Sequence, residues 1–507
     1  VVQPITLLVT AASQPLSGTA AELTNALAGI TNYTGAITVT DATTTNIDAA
    51  LQLTSGKVTA TVAGTATDLL AVLDNAKPTD ALTLEVSNAA TTAAQLKALD
   101  AKTSVAVDAS AVTVITGTAA DLKTVLAANT ITKAAGVAVT VTGTVSAADL
   151  NTIANATTGA VIADVTGSAA ALNAALKVVN TTDDTVTATL TGTTATAKDL
   201  IELADKVTLV TTSIKTITGT LAEITAVTVT VTTIVAADVA VTITGTVPAS
   251  SFAALNSIAA NTGVVKATVE GSAAQLANLS PSTTDLLTLK VTGDTATAAD
   301  LVKVDAATSL TVNASAVKEI SGIAADLKTI YASKTISGLG NEAVTITGAP
   351  AAADVNAILK ATTGKVTATV SDTAALLNTL LTDAKATDIL TLKVTDTAVA
   401  ASDLKALDAK TSLNVVVNAK DVVITGNAAD VKTVLKAEGI TLDKITVGDA
   451  VAVVVTGKVS AADVNTIAKA TVGAVTATEV AAGTAASLKA ALTDTTATDA
   501  LTLTVTG

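Results

Sequence analysis

Between Gly117 and Gly143 the chain reads "GTAADLKTVLAANTITKAAGVAVTVTG". Leu122, Val125 and Leu126 recur at spacings of three and four, which places them on one stripe of a short helix. The end of the stretch, Val137 to Thr142, changes to a period of two. The alternation is cleaner further on: Leu287, Leu289 and Val291 face one way, and Thr288, Lys290 and Thr292 the other. That is a strand with one buried and one wet face. Thr118 and Asp121, three apart, mark the helix start. Thr19/Glu22, Ser146/Asp149, Thr220/Glu223, Ser272/Gln275, Thr297/Asp300 and Ser460/Asp463 repeat the mark, with Asn427/Asp430 as a variant. A helix this short does not survive alone in water, so it must pack on its strand.

The unit recurs along the chain. A Gly closes strand-like runs at Gly117, Gly143, Gly192, Gly219, Gly245, Gly293, Gly348, Gly426 and Gly457, and these residues are expected to be structural turns. Asp41, Asp372 and Asp396 stand in the same register, where turn chemistry explains them. From Gly18 to Gly507 the period is about 26 residues, giving about 19 strand–helix units, in the range of solenoids. A longer period of about 102 residues lies above it. Gly117, Gly219, Gly322 and Gly426 open matching units, and "VSAADLNTIA" from Val145 returns as "VSAADVNTIA" from Val459.

The predicted fold class is an α/β repeat solenoid: a parallel sheet with short helices on one face, joined by right-handed crossovers. Residues 1–17 are expected to form an N-terminal strand region. Residues 18–507 are read as one continuous array, with super-repeats starting near 41, 143, 245, 348 and 457. "DASAVTVITG" from Asp108 to Gly117 has room for two strands, which would make parts of the array β-helix-like. "AVTVTVTTIVAADVAVTITG", Ala226 to Gly245, is β-branched with a period of two and reads as strand.

Composition sharpens this picture. Hydrophobic residues make up 49% of the 507, yet aromatics are 1%: Tyr33, Tyr331 and Phe252. A core without aromatics must be thin and regular, as in repeat proteins. The net charge of −14, with every basic residue a Lys and none clustered, argues against nucleic acid as a partner. No uninterrupted apolar run reaches the ~18 residues of a membrane helix. Without His, Cys or Arg, the usual bases, nucleophiles and anion clamps are missing, so the expectation is no enzyme and no cofactor. Asp183-Asp184 reads as a solvated turn, and Lys123, Lys328 and Lys405 as solvated helix positions. Calcium at contacts between subunits stays open, although EF-hand and Asp-rich repeat spacings are absent. The Thr pairs Thr59/Thr61, Thr140/Thr142, Thr185/Thr187 and Thr367/Thr369 face outward and offer a surface for ligand or ice.

The segments "GTAADLKTVLAA", "VSAADLNTIA" and "LKALDAKTS" resemble the Ala/Thr/Val-rich tandem repeats of large secreted bacterial surface proteins of cyanobacterial type. The resemblance implies an extracellular, cell-surface location and a structural or adhesive role. Its partners would be further copies of the chain, end to end or side by side, or a cell-surface glycan. The first expectation is therefore a filament, sheath or S-layer-like assembly. An adhesin stalk carrying a binding domain elsewhere is the alternative, and a Thr-face ligand- or ice-binding solenoid the third reading.

Overall fold

The computed structural model describes residues 13–177, 183–232, 238–417, 422–436, 445–448 and 450–507. They form two compact units, Val1–Ile243 with Asn261–Gly263, and Thr244–Ala260 with Val264–Gly507. Nineteen α-helices alternate with strands among the described residues. The strands form five sheets, and every recorded pairing is parallel.

In the first unit one sheet runs Leu16–Gly18, Ile37–Val39, Val58–Gly64, Ala81–Val86, Val107–Ala109, Ile131–Lys133. Another runs Ala90–Thr92, Val114–Gly117, Ala138–Val145, Val161–Gly167, Thr185–Leu190, Thr208–Thr212. The two overlap in sequence. The coil Ala81–Thr92 gives one strand to each sheet, as do the coils Val107–Gly117 and Ile131–Val145; Val161–Gly167 is a single strand. In the second unit the sheet from Thr295–Thr297 to Ile445–Thr446 hands over in the same way to the sheet from Ala398–Ala400 to Ala500–Thr506. Within each unit the stack is thus a relay of short sheets rather than one long ladder, and the two-stranded coils are its β-helix-like part.

The relay accounts for the long period. Strands stack at ~4.8 Å but helices at ~8–10 Å. Two such layers, one helix per coil, keep step only if the strands twist and drift along the coil. A fresh ladder starts on the C-terminal side of the old one about every 103 residues: at Ala90, Thr194, Thr295 and Ala398. The helix follows the newest strand directly and stays beside the sheet.

The core is one side chain deep. Val58, Val62, Leu82 and Leu84 of the strands are fully buried, and so are Leu69, Leu96, Leu99 and Leu122 of the helices. Burying each such side chain contributes about 1.5–3 kcal/mol, and this is what holds helices of four to ten residues in place. The starts follow the caps read in sequence: Thr118 Oγ1 accepts from Asp121 N at 3.2 Å, and Thr19/Glu22, Thr220/Glu223 and Ser272/Gln275 form complete capping boxes.

One segment departs from its pattern. Ala226–Thr230, read as strand, belongs to the helix Leu221–Thr230; the strand begins only at Ala240, and residues 233–237 lie outside the described ones. The Thr220/Glu223 capping box and the position of the segment in the repeat override β-branched propensity. The Thr hydroxyls turn inward on the helix itself: Thr225 donates to Leu221 O at 2.8 Å and Thr230 to Ala226 O at 2.9 Å. Of the N-terminal region, residues 1–12 lie outside the described ones; Leu16–Gly18 pairs with Ile37–Val39.

Candidate functional site

The turn glycines divide by physical role. Gly143, Gly245 and Gly457 do not end their strands. They lie inside Ala138–Val145, Ala240–Pro248 and Ala452–Val459 at φ of +75°, +78° and +78°. The ladder slips at two of them, where Ile162 pairs with Thr140 but Asp164 with Thr144, and Val455 pairs with Ala477 but Lys458 with Glu479. They are bulges that need a left-handed residue. Gly192 and Gly348, at +95° and +85°, follow strands as expected. Gly117 and Gly219 have no positive φ. A Cβ there would come within 2.9 Å of the Cβ of Ala93 and Ala197 on the preceding coil, so closeness of approach requires them. Gly426 combines the two needs, facing Ala401 at 3.2 Å with a φ of +157°; Gly293 sits in an open stretch between strands.

The polar residues are arranged from coil to coil. Just after a helix, a Thr reaches back. Thr54 Oγ1 donates toward Gly35 O at 2.7 Å, Thr308 to Leu287 O at 2.6 Å, Thr362 to Glu342 O at 2.8 Å and Thr471 to Val451 O at 2.6 Å. The same hydroxyl accepts the N–H two residues on, as at Gly56, Leu310, Gly364 and Gly473. At Thr103 and Thr411 it also accepts the N–H of Leu82 and Leu390.

Once per super-repeat an Asp precedes the strand. Asp80, Asp285 and Asp388 are almost wholly buried. Their Oδ1 atoms accept Val58 N, Val265 N and Val366 N from the preceding coil at 2.8, 2.8 and 3.0 Å. Their Oδ2 atoms accept Lys77 N, Ser282 N and Lys385 N of their own turn. Asp184 and Asp499 repeat the first contact on Val161 N and Val475 N. Asp184 is therefore a fastener and not only a solvated turn. Such residues were hidden in the sequence because Thr and Asp are common throughout. Their fixed place before the strand, recurring about every 103 residues, is the signal that could have found them.

The lysines read as solvated, Lys123, Lys328 and Lys405, are partly exposed and also paired, and Lys97 and Lys432 are paired in the same way. Lys97 reaches Asp121 at 2.6 Å, Lys328 Asp354 at 2.5 Å, Lys405 Asp430 at 2.9 Å and Lys432 Asp463 at 2.5 Å; Lys123 pairs with Asp149. Each joins one helix to the first turn of the next. The lysine hydrogen bond, with the capping residue behind it, holds Asp121, Asp149, Asp430 and Asp463 below the usual carboxylate range. The turn acids serve the helix of the preceding coil: Asp41 accepts Ala20 N at 2.6 Å and Asp396 accepts Ala374 N at 2.7 Å. Asp372 accepts Thr373 N.

One coil differs. Where Leu126 and Val137 are buried in the first unit, the second has Tyr331 and Glu342. The Tyr331 hydroxyl donates to Glu342 Oε1, while Oε2 accepts Gly340 N and Asn341 N. Burial and this carboxylate push the phenol well above its ordinary value.

The uncovered sheet faces carry the Thr pairs in register: Thr38 beside Thr59, Thr61 beside Thr83, Thr116 beside Thr140, Thr187 beside Thr208, Thr369 beside Thr391. Glu85 and Lys393 interrupt two of these same sheets, and Glu270 beside Lys290 interrupts another. Among the described residues no group of three or more acidic side chains converges on one point, and no helix is long and apolar enough to cross a membrane. A shallow hollow of about 490 Å³ lies by Ser280, Pro281, Asp285, Lys303 and Thr308, but its acid is already engaged with Val265 N. No family model matches the chain, and neither a curated protein nor a solved structure does.

Proposed function

We propose that the chain is a structural, extracellular spacer. It forms or extends a surface filament, sheath or S-layer-like assembly by stacking and self-association. The observation that carries this reading is the use of the chain's reactive side chains. The recurrent Thr, Asp and Lys fasten one coil to the next, so the chemistry of the repeat is spent on holding a stack in order. A repeat that gains stability only from its neighbours provides reach. An adhesin stalk uses the same property; it predicts monomers and a binding domain elsewhere in the full protein.

The test is negative-stain imaging of purified chain, with sedimentation at rising concentration and with calcium added or chelated. Ordered polymers support the assembly, and calcium dependence points to a lattice. Monomers at every concentration overturn self-association and leave the stalk.

A second reading rests on one face. The sheet from Ala90–Thr92 to Thr208–Thr212 sets Thr92, Thr116 and Thr140 side by side, with Thr166 beside Thr189, and its outward rows hold Asp164 but no Lys. Ice shaping that is lost when Thr116 and Thr140 are replaced by Tyr supports that reading, and no effect on ice growth removes it.

A further inference from the structure

We infer that the joints between coils carry a four-part address, so that the stacking module is the block of four coils and not the single coil. Each joint in a block has its own polar contacts. From the single-stranded coil to the next, the buried Asp takes the preceding strand's N–H, as Asp388 does for Val366. At the next joint a buried Thr takes over, as Thr411 does for Leu390, and Lys405 meets Asp430. The third joint is held by Lys432 and Asp463, or Lys328 and Asp354. At the fourth, Thr362 reaches Glu342 O, and Asn356 holds the start of the following turn through Asp383 N at 2.8 Å.

The pattern recurs in the first unit with Asp80 on Val58, Thr103 on Leu82, Lys123 on Asp149 and Thr157 on Val137 O at 2.5 Å. The sheets keep the same count, since each hand-over comes once per block. A coil moved to another place in the order would meet a neighbour lacking its partner, and a buried N–H would be left unpaired. On the spacer reading above, reach then changes in whole blocks, each about 19 Å along the strand-stacking direction.

Two excisions in the second unit separate block from coil. Removing residues 298–400 joins Thr297 to Ala401. This keeps a capped helix, with Asp403 three residues after Thr297, and restores all four joints, with Thr411 over Leu287 in place of Thr308. Removing residues 374–400 joins Thr373 to Ala401. It keeps an equally good cap but deletes Asp388 and Asp383, so Val366 N and Asn356 lose their partners.

The block excision should melt within about 3 °C of the parent, and the smaller single-coil excision at least about 6 °C lower, with new protease cleavage. Equal melting of the two variants, or a block excision that melts further below the parent than this, overturns the address. The melts are read on dilute chain, so they stand whether or not polymers form.

Discussion

The hydroxyl of Thr411 donates to the carbonyl of Leu390 at 2.6 Å and accepts the N–H of the same residue at 3.1 Å. One side chain thus satisfies both backbone groups of a residue in the preceding coil, at a point where a strand would otherwise have to do so. Thr411 is fully buried.

Thr411→Val keeps the volume and removes the hydroxyl. Stability should fall by about 1–3 kcal/mol, the cost of unpaired buried backbone groups. Thr391→Val, on the outward face of the same sheet, should change it by less than about 0.5 kcal/mol. Urea unfolding of the two variants makes the comparison; equal effects would mean that the hydroxyl is dispensable.

Asp388→Asn keeps one acceptor for Val366 N but turns its other end into a donor facing Lys385 N; Asp388→Ala removes both. The expected losses are about 1–2 kcal/mol for Asn and about 2–4 kcal/mol for Ala. Amide exchange at Val366 should quicken in the Ala variant. Unchanged protection there would show that the carboxylate does not hold the joint.

Gly117→Ala should cost about 1–3 kcal/mol through overlap with Ala93. The double variant Gly117→Ala with Ala93→Gly should recover part of that loss, giving a positive coupling in a mutant cycle. Gly143→Ala meets no atom within 4 Å and should cost about 1–2 kcal/mol from its +75° φ alone. No change at Ala93 should rescue it.

Asp121, Asp149, Asp430 and Asp463 have their carboxyls held low in the folded chain, by the paired lysine first. The stability this supplies is complete above the unfolded value near ~3.9 and is lost as pH falls through the lower folded value. Melting points should therefore drop below about pH 4. Replacing Lys97, Lys123, Lys405 and Lys432 by Met should flatten that drop, and salt should weaken the pairs at neutral pH. A profile identical to the parent's would mean that the pairs are incidental.

Much of the architecture was legible because the same grammar is written many times. The caps at Thr118, Ser146 and Thr220 placed the helices, and the alternation at Leu287–Val291 placed buried and outward faces. Ala226–Thr230 was misread because five residues of β-branched pattern carry less weight than a cap and a position in the repeat. The fasteners were the harder part. Nothing in local sequence separates Thr411, fully buried, from Thr391 on the open face, because the difference lies in which carbonyl the preceding coil brings near. The turn glycines showed that a special backbone was needed, but not whether the need was a bulge, as at Gly143, or room for a neighbouring methyl, as at Gly117.

In either unit the ladder that opens at one coil gives out a few coils later, while its successor is already running beside it. A spun yarn is built in this way: no fibre runs its length, and continuity comes from overlap. A break that starts in one ladder meets, at the next overlap, a second set of bonds that does not share its line of failure.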